Sequence, residues 1–165
     1  MTTAYLALGA NLGDRLATFR QARAALDQQA EIKVTGASAI FETEPVGGPA
    51  GQNVYLNAVL RVDTTLAPQV LLAVCQTIEL HFGRRREVPW GPRTLDIDLL
   101  LYGEVTCGGP QLILPHPRLH LRRFVLTPLL ELAPDLRHPL LGQTIRELHA
   151  ALDDPAAVRR LDDHW

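Results

Sequence analysis

The chain has 165 residues, of which 47% are hydrophobic and 21% are charged, and its formal net charge at pH 7 is −2. This length suits one compact domain that buries its own core without disulfides or a structural metal. The balanced charge gives no sign of a nucleic-acid or membrane partner, and no segment approaches the ~18 consecutive apolar residues of a membrane span.

The first third of the chain predicts a strand, a helix and a second strand. Residues 4–8 form a short apolar run that is typical of a strand, and the basic start of a secretory signal is missing. Asp14 is a suitable N-cap for a helix over about 14–29, where apolar residues recur at helical spacing. Residues 31–43 are rich in β-branched side chains and predict the second strand.

A strand, a helix and a strand follow. Residues 54–63 alternate, with Leu56, Ala58, Leu60 and Val62 on one face, and predict the third strand. Pro68 favours the start of a helix that ends at Gly83. Residues 95–102 predict the fourth strand. The resulting β-α-β-β-α-β order is typical of an α+β domain with a ferredoxin-like core.

The remainder is expected to be an irregular and helical C-terminal extension. Five prolines punctuate residues 110–134. Short helices are predicted over 128–132 and 144–152, and the charged last dozen residues are expected to pack loosely. Because no repeat, linker or second composition class is present, we expect a single domain over residues 1–165.

Asp96 and Asp98 indicate chemistry most strongly. Residues two apart on a strand face the same side, ~6.6 Å apart at Cα, and Leu95, Ile97, Leu99 and Leu101 are expected on the other face. At ~6 Å and an effective dielectric of ~20 the two carboxylates repel by about 3 kcal/mol, and a bound cation would remove that cost. Their reach also suits two metal ions about 3.5–4 Å apart. The alternative is an exposed pair neutralised by nearby arginines.

The segment before these carboxylates is rich in arginine and contains Arg84, Arg85, Arg86 and Arg93. Guanidinium groups bind phosphate bidentately. A polyphosphate carrying Mg²⁺ needs acids for the metal and bases for its free oxygens, so this span predicts a Mg²⁺-dependent phosphotransferase that uses a nucleoside triphosphate. Trp90, in the same loop, either packs on the domain or belongs to a lid that closes over a ligand.

Two weaker motifs point the same way. His116 and Arg118 flank Pro117, so they either meet phosphate oxygens or form a surface turn. Tyr55 and Asn57 share a face of the third strand and either bind a flat heterocycle or remain solvated. Neither a P-loop nor a dinucleotide-binding fingerprint is present, so the nucleotide must be held differently.

These residues together resemble the 6-hydroxymethyl-7,8-dihydropterin pyrophosphokinase family. The resemblance covers roughly residues 4 to 135 and is most specific in the run Trp90-Gly-Pro-Arg-Thr-Leu-Asp-Ile-Asp98. The other segments that carry it, in family order, are Ala7-Leu-Gly-Ala-Asn-Leu-Gly-Asp14, Phe41-Glu-Thr-Glu-Pro-Val-Gly47, Tyr55-Leu-Asn57, Gln76-Thr-Ile-Glu79, Pro115-His-Pro-Arg118 and Arg122-Arg-Phe-Val-Leu126.

The resemblance implies transfer of pyrophosphate from ATP to the pterin hydroxymethyl oxygen, with release of AMP, in folate biosynthesis. It implies two Mg²⁺ ions on Asp96 and Asp98, and a catalytic set of Asp96, Asp98, Arg84 and Arg93. The implied ATP-binding residues are Gln76, Glu79, Arg86, Trp90, Leu99, Ile113, His116 and Arg122. The implied pterin-binding residues are Thr43, Val46, Tyr55, Asn57 and Phe124, with Tyr55 and Phe124 sandwiching the ring.

Two positions depart from the family pattern. Gln111 stands where another member has a phosphate-side arginine, and Pro117 stands where it has a tyrosine. We expect a monomer that binds only small-molecule substrates. Because Cys75 and Cys107 lack metal-ligand spacing, we also expect reduced thiols and a cytoplasmic location. Competing hypotheses are a non-catalytic nucleotide- or pterin-binding protein and a metal-dependent transferase or hydrolase with another acceptor.

Overall fold

The computed structural model describes residues 1–11, 13–44, 54–82, 94–162 and 164–165. Eight strands are assigned in this part of the chain: β1 Thr2–Ala10, β2 Ile32–Ala37, β3 Ile40–Thr43, β4 Tyr55–Thr64, β5 Asp96–Tyr102, β6 Cys107–Gly108, β7 Ile113–Leu114 and β8 Val158–Asp162. The α-helices are α1 Arg15–Asp27, α2 Pro68–His81, α3 Arg123–Leu132 and α4 Ile145–Ala150, and a 3₁₀ turn covers Leu119–Leu121.

The main sheet is antiparallel and has six strands. Its order is β5-β1-β4-β3-β8, and β2 also pairs with β4. The ten-residue β4 hosts two shorter partners in succession, β2 along one half and β3 along the other. Strands β6 and β7 form a separate two-stranded antiparallel sheet. Antiparallel sheets with packed helices confirm the predicted α+β class and are consistent with a ferredoxin-like arrangement.

The segment predicted as one strand over 31–43 is two strands. Ser38 and Ala39 interrupt it, because their groups bond outside the regular ladder. The Ser38 hydroxyl accepts a hydrogen bond from the Val59 amide at 2.9 Å, and the Ala39 amide donates to a carboxylate oxygen of Glu131 at 2.7 Å. These side-chain contacts come from residues distant in sequence, so local pattern could not place the break.

Two apolar clusters cover the two faces of the sheet. One includes Leu56, Ala58, Leu60 and Val62 of β4 and packs against α1 and α2, which confirms the predicted alternation. The other lies beneath α3 and contains Val59.

Strand β5 departs from the predicted alternation at its end. Leu95, Ile97 and Leu99 lie in the apolar cluster that packs against α1 and α2, as expected. Leu101 lies in the other cluster, beneath α3. The pairing of β1 with β5 shifts register there, so an extra residue is inserted and the facing of later side chains is reversed. The expectation for Leu101 was therefore wrong.

Some helices begin at a local capping residue, and others begin where contacts with distant residues stabilise the first turn. Asp14 caps α1 by accepting from the Ala17 amide at 3.1 Å, and Thr144 caps α4 in a reciprocal pair with Glu147. Helix α3 begins at Arg123 rather than near Pro128, which lies inside the helix. Three buried side chains of α3 pack beneath the sheet and offset the missing proline N–H: Val125, Leu126 and Leu129.

The C-terminal residues are packed rather than loose. Strand β8 pairs with β3, and the indole N–H of Trp165 donates to the Ser38 carbonyl at 2.8 Å. The Trp165 ring centroid lies 5.4 Å from that of Phe19, and the Arg23 guanidinium carbon lies 5.7 Å from the Trp165 centroid. These contacts attach the last residues of the chain to α1 and to the segment between β2 and β3. Within the described ranges, no helix is both long and apolar enough to span a membrane.

Candidate active site

Asp96 and Asp98 lie on the same face of β5, as predicted, and both line one cavity of about 770 Å³. Their backbone partners on β1 are Gly9 and Ala7. Asp96 is half-buried and Asp98 is exposed. The volume lies within the ~300–1,000 Å³ that small-molecule sites usually occupy.

The cavity is bounded by elements from three parts of the chain. Its lining from the sheet consists of Ala7, Leu8, Gly9, Thr43, Glu44, Tyr55, Asn57, Ala58, Asp96 and Asp98. The beginning of α3 and the preceding turn contribute Arg118, Leu121, Arg122, Phe124 and Val125. A third wall comes from residues 153–156, which we call the C-terminal strap.

Gly9 separates the acidic side of the cavity from its amide side. It pairs with Asp96 on one neighbouring strand and with Asn57 on the other. A Cβ atom at Gly9 would lie 3.4 Å from Oδ1 of Asn57. The glycine therefore leaves open floor between the carboxylates and the amide, whose backbones are about 9.6 Å apart at a strand spacing of ~4.8 Å.

Asn57 is held in one orientation by Thr43. Its side-chain N–H donates to the Thr43 hydroxyl at 2.7 Å, and both residues are buried. Because the amide nitrogen is engaged, Oδ1 of Asn57 lies on the side of Gly9. Buried, oriented amide and hydroxyl groups are suited to recognise the hydrogen-bonding edge of a heterocycle.

Arg122 and Phe124 flank the first residue of α3. The guanidinium carbon of Arg122 lies 5.5 Å from the Phe124 ring centroid, which is within the range of a cation–π contact. Burial lowers the pKa of Arg122, as does the charge of Arg118, whereas Asp98 raises it. The guanidinium is thus partly desolvated, and the lower local dielectric strengthens its interaction with an incoming anion.

His116 lies near this group but does not line the cavity. Its backbone N–H donates to the Leu100 carbonyl at 2.9 Å, and its Nδ1 accepts from the Arg118 amide at 3.2 Å. This assigns the ring proton of the neutral form to Nε2. Burial lowers the pKa of His116; Asp98 opposes that shift, and Arg122 and Arg118 add to it.

The residues expected on the adenosine side lie elsewhere around β5. Glu79 is buried on α2, and its Oε2 accepts from the Ile97 amide at 3.0 Å, so it satisfies a backbone donor between the two aspartates. Gln76 is exposed on α2, Leu99 is buried in β5, and Ile113 is exposed on β7. None of these four lines the 770 Å³ cavity.

The structure therefore gathers part of the expected site. Around the cavity it brings together Asp96, Asp98, Thr43, Tyr55, Asn57, Arg122 and Phe124. Five expected site residues lie outside the described residues: Val46, Arg84, Arg86, Trp90 and Arg93. Their roles remain predictions.

The acidic side of the cavity fits magnesium in its donor chemistry. Among the described residues, no group of three or more His, Cys, Asp and Glu side chains is arranged to hold a metal ion. Mg²⁺ is a hard cation that usually binds through one or two carboxylates together with water and substrate phosphates. Asp96 and Asp98 supply that carboxylate pair.

Sequence reasoning missed the open floor at Gly9 and the whole C-terminal strap. Gly9 follows the predicted strand over 4–8 and belongs to one of the segments that resemble the family, but no role was predicted for it. Residues 153–156 contain an Asp-Asp-Pro turn signal, but nothing local indicates that they reach a cavity built from β1, β4 and β5.

Comparison with known proteins identifies the family. The family model for 7,8-dihydro-6-hydroxymethylpterin-pyrophosphokinase (HPPK) matches residues 5–134. A 2-amino-4-hydroxy-6-hydroxymethyldihydropteridine pyrophosphokinase of Bacillus subtilis (strain 168) is 50% identical over 156 residues, covering 94% of this chain and 88% of the relative. A protein of the same name from Methylorubrum extorquens is 44% identical, covering 98% of this chain and 100% of the relative.

Solved structures agree in fold. A crystal structure of Plasmodium falciparum HPPK-DHPS with pteroate superposes with a TM-score of 0.72 at 17% identity. The match covers 90% of this chain and 42% of the Plasmodium chain. Family model and curated relatives together span nearly the whole sequence. The chain therefore belongs to the 7,8-dihydro-6-hydroxymethylpterin-pyrophosphokinase family and is a diphosphotransferase enzyme.

Proposed function

We propose that the chain transfers pyrophosphate from ATP to 6-hydroxymethyl-7,8-dihydropterin in folate biosynthesis. The products are AMP and the dihydropterin diphosphate. One observation carries the proposal: a single cavity is lined by a carboxylate pair, Asp96 and Asp98, and by an oriented amide–hydroxyl pair, Asn57 and Thr43. The carboxylate pair binds the polyphosphate through its metal ions. The amide–hydroxyl pair binds the heterocycle that carries the acceptor hydroxyl.

The heterocycle is bound at the amide end of the cavity. Asn57 and Thr43 recognise its hydrogen-bonding edge. The aromatic rings of Tyr55 and Phe124, which both line the same cavity, stack on the two faces of the heterocycle. Stacking between aromatic rings contributes about 0.5–1.5 kcal/mol beyond burial of their area. Gly9 keeps the floor free, so the hydroxymethyl group extends toward β5.

The polyphosphate is bound at the acidic end. Asp96 and Asp98 hold two Mg²⁺ ions, which supply charge neutralisation to the triphosphate when bound. Arg122 pairs with a phosphate oxygen from the opposite wall, where partial burial strengthens the contact. Arg84, Arg86, Arg93 and His116 complete the phosphate contacts in this proposal, and Gln76, Glu79, Leu99 and Ile113 contact the adenosine.

Positioning accounts for most of the catalysis. The hydroxymethyl oxygen forms a bond to the β-phosphorus, the bond from that phosphorus to the α–β bridging oxygen breaks, and AMP leaves with that oxygen. The hydroxyl proton is released. Transfer of this kind needs little covalent participation by the protein, so acids, arginines and aromatic walls suffice. Segments 47–51 and 83–92 lie outside the described residues; as a prediction from the sequence, we propose that they close over the substrates and exclude water.

The remaining organisation is proposed on the same basis. The chain forms one domain over residues 1–165 with a ferredoxin-like core, which consists of β1, α1, β2–β3, β4, α2 and β5. The protein acts as a monomer in the cytoplasm on small molecules, without a nucleic-acid or membrane partner.

An acceptor-dependence assay tests the proposed function. Release of AMP is measured with ATP, Mg²⁺ and either 6-hydroxymethyl-7,8-dihydropterin or the same pterin without its hydroxymethyl group. We expect AMP only with the hydroxymethyl compound. Release of ADP, or equal AMP release without the hydroxyl acceptor, would favour another transferase or a hydrolase, and binding without turnover would favour a non-catalytic protein.

A further inference from the structure

Asp154, in the C-terminal strap, is bonded directly to the start of α3. Its Oδ2 accepts from the backbone N–H of Arg123 at 2.9 Å, and its Oδ1 accepts from the Ala156 N–H at 3.0 Å. The Arg123 side chain returns a bond from Nε to the Asp154 carbonyl at 3.2 Å. The two residues, 31 positions apart in sequence, are thus joined by two hydrogen bonds.

Helix α3 has no cap of its own. The N-cap residue, Arg122, makes no side-chain hydrogen bond to the first turn. The first N–H groups of a helix lack partners within the helix, and an acidic acceptor also complements the positive end of the helix dipole. Asp154 supplies both functions from a distant segment. The amide hydrogen bond from Arg123 lowers the pKa of Asp154, consistent with a carboxylate that is charged at neutral pH.

The capped residue stands between two residues of the cavity. Arg122 and Phe124 both line the cavity, and Arg123 is the residue between them. The strap itself forms the adjacent wall through residues 153–156. Movement of the Arg123 backbone would therefore redirect both the guanidinium and the aromatic ring.

The strap is tied down beyond Asp154 as well. Strand β8 pairs with β3, Arg159 forms an ion pair with Glu42, and Nε of Arg160 lies 3.1 Å from a carboxylate oxygen of Glu131 on α3. The chain end is held at Ser38 and Phe19 through Trp165. Asp154 is thus a fixed point on an anchored segment, and it can impose its position on α3.

We propose that Asp154 is a positioning residue for the substrate, which sets the directions of Arg122 and Phe124 across the cavity through the Arg123 amide. This inference rests on the proposed function, since it assumes that these two residues contact substrate. Both carboxylate oxygens of Asp154 accept from backbone N–H groups, those of Arg123 and Ala156, so its proposed effect on the substrate is exerted through α3.

Two variants and a matched control test the role. Asp154→Ala removes both acceptor oxygens, and Asp154→Asn retains one. Thr144→Ala removes the cap of α4, a helix whose residues do not line the cavity. Steady-state KM values for the pterin and for ATP, kcat and the melting temperature are measured for all three, together with hydrogen exchange at the Arg123 amide without substrates.

We expect Asp154→Ala to raise the KM for the pterin about tenfold through Phe124, and to raise the KM for ATP as well through Arg122, with a much smaller change in kcat. Asp154→Asn should fall between Asp154→Ala and the parent. Thr144→Ala should lower the melting temperature while leaving KM unchanged. Exchange at Arg123 should accelerate in Asp154→Ala, less so in Asp154→Asn, and not in Thr144→Ala. If Asp154→Ala does not fold, the same comparison is made with Asp154→Asn, for which we expect a smaller rise in KM.

The outcomes separate this inference from the proposed function. If the parent is active and the Asp154 variants have the same KM as the parent or as Thr144→Ala, the positioning role is overturned. The proposed function is unaffected by that result. A parent that binds the pterin but releases no AMP would overturn the proposed function. In that case an unchanged dissociation constant for the pterin in Asp154→Ala would overturn the positioning role independently, and a raised one would support it.

Discussion

The side-chain amide of Asn57 donates to the hydroxyl of Thr43 at 2.7 Å across neighbouring strands β4 and β3. Both residues are buried at the cavity, so neither group rotates freely to suit a ligand. The pair is therefore pre-organised, and its energetic contribution to binding is open to measurement by removing a single oxygen.

Thr43→Val removes the acceptor of this bond while keeping the shape of the side chain. A buried amide that loses its partner costs about 1–3 kcal/mol, and a loss of that size in pterin binding corresponds to a rise of roughly five- to 150-fold in the pterin KM. Thr3→Val is the control, because the Thr3 hydroxyl makes a bond of the same 2.7 Å length to Asp63 at the far end of β1. Equal KM values for the two variants would contradict the assigned role of the pair.

Gly9→Ala tests the open floor. The added Cβ meets Oδ1 of Asn57 at 3.4 Å, an ordinary contact distance, so we expect the free energy of unfolding to change by less than about 1 kcal/mol. Substrate that crosses the floor would be obstructed, and the KM for the pterin should rise at least about tenfold. Gly108→Ala, where nothing lies within 4 Å of the added atom, serves as control. An unchanged KM in Gly9→Ala would place the substrate elsewhere.

The aspartate pair is tested without turnover by thermal unfolding. Mg²⁺ with a non-hydrolysable ATP analogue at ~100 times its dissociation constant should stabilise the parent by about 2.7 kcal/mol. For a chain of this size that corresponds to roughly 5–10 °C in melting temperature. Asp96→Asn and Asp98→Asn should lose most of this shift, whereas Asp135→Asn, which affects only an exposed ion pair with Arg146, should keep it. A full shift in either active-site variant would remove that aspartate from the metal site.

The two cysteines are expected to differ sharply in reactivity. Burial raises the pKa of Cys75 from its ordinary value of 9.0 to about 12, with Glu79 and Asp98 adding to the shift, whereas Cys107 is half-buried. At pH 8 a thiol reagent should label Cys107 and leave Cys75 unmodified until the protein unfolds. Equal labelling of both in the native protein would contradict the described packing of α2.

The raised pKa of Cys75 also makes the free energy of unfolding depend on pH in a known direction. Above pH ~9 the unfolded chain loses the Cys75 proton while the folded chain retains it, so the unfolded state is favoured increasingly as pH rises toward about 12. Denaturant unfolding of the parent and Cys75→Ala should therefore show a steeper loss of stability over this range in the parent. Parallel curves would contradict burial of the thiol.

The sequence could predict what depends on local period. Two-residue spacing placed Asp96 and Asp98 on one face, and alternation along β4 correctly grouped Leu56, Ala58, Leu60 and Val62 in one apolar cluster. Capping chemistry located the start of α1 at Asp14, and the short helix predicted over 144–152 begins after the observed cap Thr144.

What failed depends on partners distant in sequence. The register shift that reverses Leu101 is set by β1, and the break at Ser38 is stabilised by Val59 and Glu131. The early start of α3 and its cap at Asp154 require a strap that is 31 residues away. Single-residue patterns carry no information on such contacts.

The most direct test of the central claim identifies the products by ³¹P NMR after reaction of ATP, Mg²⁺ and 6-hydroxymethyl-7,8-dihydropterin, with the parent and with Asp98→Asn. The parent should yield AMP together with an organic diphosphate whose two phosphorus atoms are coupled, and Asp98→Asn should yield neither at a comparable rate. Formation of ADP with a pterin monophosphate, or undiminished turnover by Asp98→Asn, would contradict pyrophosphate transfer at a metal site built on this strand.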